Sequence, residues 1–167
     1  LATQAFLSPL NFKFKLTKIP NFENYVQSVN LPAIQAGVTP GMSNPFQTIA
    51  IPGEHMRFEP LKATFKVNES MSDYLDIFNW IQGIGKPHDF EQRSKLQNAP
   101  IGQGLQIEAS LLILNNHLHP FIKFDFWDLY PTELSELEFN TTASDLEYIT
   151  ASVTFEYTLF TTSLLTD

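Results

Sequence analysis

Residues 61–82, LKATFKVNESMSDYLDIFNWIQ, change hydrophobic period halfway along, and this constrains the chain more than any other feature. Leu61, Ala63, Phe65 and Val67 alternate with Lys62, Thr64 and Lys66, the period of a strand with one wet face. From Met71 the apolar residues fall at Met71, Tyr74, Leu75, Phe78 and Ile81, the stripe of an amphipathic helix. Ser70 is placed to cap that helix, and Asp73 and Asp76 suit its first turns, where the helix dipole favours negative charge. Gly83 and Gly85 can end it, and Pro87 prevents its return. One strand therefore feeds one helix of about 70–82, with Phe65, Leu75, Phe78 and Trp80 expected to lock the two together.

The rest reads as strands. Residues 11–19 alternate, with Phe12, Phe14 and Leu16 opposite Lys13, Lys15 and Thr17. A second strand is expected over 25–31, in a hairpin with the first. From about 32 to 47 the composition turns to Pro, Gly, Ser and Asn, which predicts a long loop, and loops of that length in compact domains are usually functional or ordered by a partner. A short strand follows at 48–51. Residues 83–104 are polar and aperiodic, expected to be irregular. Strands are predicted over 105–114 and 120–129, the second broken by Tyr130-Pro131, and the longest over 148–161. There, Val153, Phe155, Tyr157 and Leu159 face one way, with Ser152, Thr154, Glu156 and Thr158 facing the other. Many strands and one short helix predict a mainly β chain: a two-sheet sandwich or barrel with the helix packed on it, residues 1–167 forming one domain.

Composition excludes several function classes. With no cysteine, disulfides, thiolate metal sites and cysteine nucleophiles are ruled out. There is no run of about 18 apolar residues, so no membrane-spanning helix or anchor is expected, and residues 1–10 do not read as a signal peptide. The net charge is −8, and residues 121–167 carry Lys123 alone against nine acids. That is no basic nucleic-acid footprint. It fits either a solvated acidic face or a surface that repels a polyanion or meets a basic partner.

Chemistry has little foothold. His117 and His119 share a face in any extended segment, the spacing of two metal ligands, but no third ligand lies at useful spacing. The glycine pairs 83/85 and 102/104 lack a phosphate-cradling context, and there is no G-x-S-x-G. The residues nominate no catalytic group, metal or cofactor, and the chain reads as a non-enzyme.

Four ordered motifs resemble the tail tube protein of T-even-type contractile-tailed bacteriophages. They are LPAIQAG at 31–37; IAIPGE at 49–54, followed by Phe58 and Leu61; FKVNE at 65–69, with Trp80 in the helix that follows; and DLYPTELSELEF at 128–139, ahead of a last strand containing FEY at 155–157. The resemblance implies a β-fold assembling into stacked, hexameric rings around a channel for phage DNA during ejection. Neighbouring sheets would join into an inner wall, the helix would lie outside it, and a long loop and the termini would reach the next ring. On that basis Thr154 and Glu156 become candidates for the lumen, Lys13 and Lys15 for an outer face meeting sheath or neighbour, and Pro40, Gly41, Met42 and Pro45 for the inter-ring loop. The implied partners are further copies of the chain, sheath, baseplate and tail terminator proteins, and DNA passing without sequence-specific binding. The implied place is the virion tail, assembled in the host bacterial cytoplasm. The same fold serves tube-end (initiator or terminator), neck and baseplate components, which are the alternative reading. A small β-barrel metal-binding enzyme built on His117 and His119, and a binding sandwich, are the readings from other classes.

Overall fold

The computed structural model describes residues 6–44, 46–85, 90–100, 104–142 and 148–165. Along them run β1 (Phe12–Leu16), a 3-10 turn (Pro20–Asn24), β2 (Val26–Val29), β3 (Ile34–Asn44), β4 (Gln47–Phe58), β5 (Leu61–Lys66), α1 (Ser72–Gly85), α2 (Phe90–Gln97), β6 (Ile107–Leu114), β7 (Pro120–Leu134), β8 (Thr150–Glu156) and β9 (Leu159–Leu164). The architecture is mainly β, as expected.

All strands but β3 and β4 form one antiparallel sheet in the order β1-β6-β7-β8-β5-β2, with β9 also on β7. The 15-residue β7 belongs to two halves of this sheet. Its first part pairs with β6 and β9, its second with β8. The sheet bends at Asp128, whose φ of 56° is left-handed, opposite the junction of β8 and β9. The expected single strand over 148–161 is therefore two, both running antiparallel along β7. Nor does β7 break at Tyr130-Pro131. β6 stops pairing at Leu129, so the N–H that Pro131 lacks is not required there.

The bend folds one half onto the other. Phe14 of β1 comes within 6.4 Å of Phe155 of β8, and Phe22 within 4.9 Å of Phe65, ring centre to ring centre. Alternation sets which side chains enter: Leu61, Ala63 and Phe65 of β5, and Ala151, Val153 and Phe155 of β8, are buried. β1 pairs with β6 and β2 with β5, so the expected hairpin of the first two strands does not form.

α1 covers the inner side of the second half-sheet, but on a different face from the one its apolar stripe predicts. Trp80 is 1% exposed, packs 6.3 Å from Phe155, and donates its indole N–H to the Leu105 carbonyl at 2.9 Å. Phe65 is also buried as expected, but Leu75 and Phe78 are 46% and 47% exposed. At about 100° per residue, centring Trp80 on the sheet turns both of them away from it. Ile77 takes the buried position. The cap differs too: Asn68 Oδ1, not Ser70, accepts from the Ser72 N–H at 3.1 Å.

Two segments expected to lack regular structure contain strands or helix among their described residues. Residues 34–44 and 47–58 pair as a long two-stranded hairpin where a loop over 32–47 was expected. Both strands are edges, so Pro40 and Pro52 can sit in them without breaking a ladder. Gly53 is needed at the bulge, because a β-carbon there would lie 2.8 Å from the Gly37 carbonyl. Within 83–104, α1 runs to Gly85 and α2 adds a second helix. Of α2, Leu96 packs against the core and none of its residues is fully buried.

Candidate assembly surfaces

The second half-sheet has one covered face and one open face. The covered face meets α1 and the first half-sheet through Phe65, Val153 and Phe155. The open face takes the alternate residues. Across it run Glu133–Thr154–Lys62, then Ser152–Thr64–Ser28, with Tyr130–Glu156 and Thr150–Lys66 at the two ends. The Ser152 N–H donates to Ser135 Oγ at 2.9 Å, and Thr132 Oγ1 donates to the Thr154 carbonyl at 3.2 Å. Thr154 and Glu156, the sequence-based lumen candidates, therefore share one polar face with Lys62 and Glu133.

The open face of the first half-sheet is different. Lys13, Leu112, Lys123 and Ser163 form one row, and Lys15, Ser110, Asp125 and Thr161 the next. Lys123 pairs with Asp125 at 2.8 Å, Asp125 accepts from Ser110 at 2.7 Å, and Lys15 reaches Glu23 at 3.7 Å. Lys13 and Lys15 are exposed and lie together, separated from Thr154 and Glu156 by the bend.

The sheet's edges are not equally guarded. β1 carries its lysines, and β2 has four residues and a bulge, both deterrents to further pairing. β9 reads LFTTSL, with no charge, proline or bulge, and among the described residues it pairs only with β7. Its other edge is open.

The β3–β4 hairpin stands apart from the large sheet and presents Ile34, Val38, Ile49, Ile51 and Met56 to solvent. Pro40, Gly41 and Met42 lie in β3 toward its far end; Pro45 is outside the described residues. At its base the Phe58 ring meets Tyr157 tilted and Phe160 edge-on, 6.0 and 5.4 Å away, and the Tyr157 phenol donates to the Glu59 carbonyl at 2.8 Å. Burial, helped by the charges of Glu156 and Glu59, pushes that phenol up to about 12. The sequence pattern missed this anchor, because Tyr157 reads as one more residue of a strand.

One group beside α1 and one within it are also perturbed. The Lys18 ammonium lies 4.8 Å from the centre of the Trp80 ring and donates to the Gly104 carbonyl at 3.3 Å. Burial pulls it down to about 8, against the opposing charge of Asp76. Asp73, 3% exposed, is raised by burial and then by Asp76.

His117 and His119 are not brought together with further ligands. Both are exposed in the tight turn between β6 and β7, where their backbone N–H groups donate to Asn115 Oδ1 at 2.9 and 3.0 Å. Among the described residues no group of three or more His, Asp or Glu is placed to hold a metal.

No protein-family model matches the chain. Its sequence is 24% identical over 136 residues to the tail tube terminator protein of Enterobacteria phage T4, covering 80% of this chain and 74% of that one. Its structure is similar to the tube-terminating cap of the anti-feeding prophage, with a TM-score of 0.60 and 13% identity over 99% of this chain and 95% of that one. The fold is the tail-tube fold. A sheath–tube complex of an extracellular contractile injection system carries it as well, with a TM-score of 0.57 and 12% identity over 98% of this chain and 95% of that one. The tail-tube fold thus occurs in caps and in tubes, and the match in sequence is to a terminator, where the motifs resemble the repeating tube protein.

Proposed function

We propose that this chain is a structural, non-enzymatic tail component that closes the end of a phage tail tube as a ring of identical copies. The observation that carries the reading is the sequence match to a tail tube terminator over four-fifths of the chain, on a tail-tube fold. The open β9 edge supports the ring. A heterologous strand contact repeated around a rotation axis closes a ring and would pair that edge. Sheath-end and neck proteins are the partners this place in the tail would supply, and Lys13 and Lys15 the residues to meet them. The exposed hairpin, with Pro40, Gly41 and Met42, would reach the last ring of the tube.

The repeating tube subunit is the second reading, favoured by the shared fold of a sheath–tube complex. Electron microscopy of the purified protein, alone and mixed with preformed tubes, separates the two. Rings that do not stack, and that add only to tube ends, are expected. Long regular tubes from the protein alone would establish the repeating subunit instead. A monomer that leaves tube ends bare would remove both readings.

A further inference from the structure

The bulge that bends the large sheet also builds a cavity. β6 and β7 are in register at Ala109–Phe126 and again at Ile107–Leu129, so Glu108 alone stands opposite both Trp127 and Asp128. A bulge sets two residues against one and re-aims a side chain. Here Glu108, Trp127 and Asp128 come to line one cavity of about 350 Å³, bounded elsewhere by Gln97 of α2 and by Gly104 and Gln106.

The backbone of this site is pinned while its side chains are free. The Thr17 N–H and hydroxyl both donate to the Glu108 carbonyl, at 3.3 and 2.7 Å, and the Thr158 N–H donates to the Trp127 carbonyl at 3.0 Å. The Trp127 indole N–H donates to Thr161 Oγ1 at 3.3 Å, which orients the ring, yet the side chain stays 42% exposed. The Glu108 and Asp128 carboxylates are exposed and, among the described residues, neither is in an ion pair. Asp125, two residues before Trp127 on the same strand, is by contrast paired with Lys123. The cations that come nearest do not line the cavity. The Lys18 ammonium is turned to the Trp80 ring and the Gly104 carbonyl, and Arg93 lies one turn before Gln97 on α2. Residues 101–103 are Ile, Gly and Gln, without charge.

An open indole beside two unpaired carboxylates suits a flat cation. A guanidinium lies on an aromatic ring and presents parallel N–H groups to carboxylates, whereas an ammonium is a compact, more strongly hydrated charge. A metal ion fits less well, because no group of three or more His, Asp or Glu able to hold one occurs among the described residues. A sugar ring would stack on the indole but leave both negative charges unneutralised. We propose that this cavity is a docking site for an arginine side chain of a partner protein. All of its lining comes from one copy, so it stands whether or not copies close into a ring.

Trp127 reports on the site, because Trp80, the other of the two tryptophans, is buried. The probes are the end-blocked tripeptide glycyl-arginyl-glycinamide, its lysyl counterpart and methyl glucoside, each titrated while tryptophan emission is followed. The proteins are the wild type, Trp127→Phe, Glu108→Gln/Asp128→Asn, and Glu136→Gln/Glu138→Gln. The last makes the same change in net charge at exposed residues that do not line the cavity. Thermal melting checks that each variant is folded. The arginyl peptide should give a saturable change that Trp127→Phe lacks. Its affinity should fall about tenfold in Glu108→Gln/Asp128→Asn and stay unchanged in Glu136→Gln/Glu138→Gln. The lysyl peptide should bind more weakly. Absence of a saturable change in the wild type refutes the site outright. Equal losses in the two double variants would reduce the effect to net charge, and equal affinity for the lysyl peptide would reduce it to a general cation site; either overturns the arginine assignment. Saturation by methyl glucoside but not by the arginyl peptide would replace it with a carbohydrate site.

Discussion

The Tyr157 phenol, 2.8 Å from the Glu59 carbonyl, fastens the base of the β3–β4 hairpin to the junction of β8 and β9. Removing only the hydroxyl isolates that link. Tyr157→Phe keeps the ring contacts to Phe58, Phe126 and Phe160, and leaves the Glu59 carbonyl without this donor. A loss of about 1 kcal/mol is expected by urea titration, with faster hydrogen exchange in the hairpin than in the large sheet. Because burial raises the phenol to about 12, the folded state holds this proton more tightly than the unfolded state. Its contribution is present below pH 10 and is lost as pH rises to about 12. The Phe variant should lack that component of the alkaline loss.

Lys18 predicts a pH slope of opposite sign. Its pKa falls from 10.5 to about 8 on folding, so the unfolded chain binds more protons between those values and stability rises with pH across the window. Lys18→Met should flatten that rise. Urea midpoints at about pH 8 and about pH 10 provide the comparison; an equally steep rise in the variant would refute the assignment.

Asp73 should behave as a buried acid disfavoured in its charged form. Its raised pKa means that stability falls as pH increases from 3.8 through the folded value. Asp73→Asn keeps an oxygen for the Asn68 amide, which lies 3.3 Å away, and removes the charge. The variant is expected to melt higher than wild type at neutral pH, with the difference shrinking in acid. Calorimetry at two pH values checks this.

The two sides of α1 should respond differently to truncation. Trp80→Ala empties a buried site against Phe155 and removes the bond to Leu105, a loss of about 3–5 kcal/mol. Phe78→Ala, on the exposed side, should change the monomer's stability by about 0.5 kcal/mol or less. Similar losses at both positions would mean that α1 is turned as its apolar stripe predicts.

Where one physical effect dominates, the sequence was readable. Alternation identified Phe14, Leu16, Phe65, Val153 and Phe155 as inward residues, because a half-buried strand leaves no other solution. Thr154 and Glu156 fell on one polar face for the same reason. Competing effects hid the rest. Leu75 and Phe78 fit the helical period, but the indole of Trp80 fixes which side of α1 meets the sheet. Pro40 and Pro52 signal a loop, yet a two-stranded ribbon always has outward N–H positions to spare. The Tyr157–Glu59 bond joins positions 98 residues apart, and no local pattern announces it. Lys62 and Glu133 become neighbours of Thr154 only through pairings that the folded topology creates.

The strand order also sets when the molecule can form. β1 waits for β6, with Phe12 opposite Ile113, and β5 waits for β8, with Leu61 opposite Phe155. Each partner is made more than 90 residues later. A chain emerging from the ribosome can close the β3–β4 hairpin and lay β2 on β5, but it cannot complete either half-sheet until β8 has been made. Such long-range closure is slow and leaves edges exposed meanwhile. A chain cut short before β8 leaves β5 without its inner neighbour, and the exposed edge is expected to favour proteolysis and aggregation. Completion of the fold therefore arrives in a single late step of synthesis.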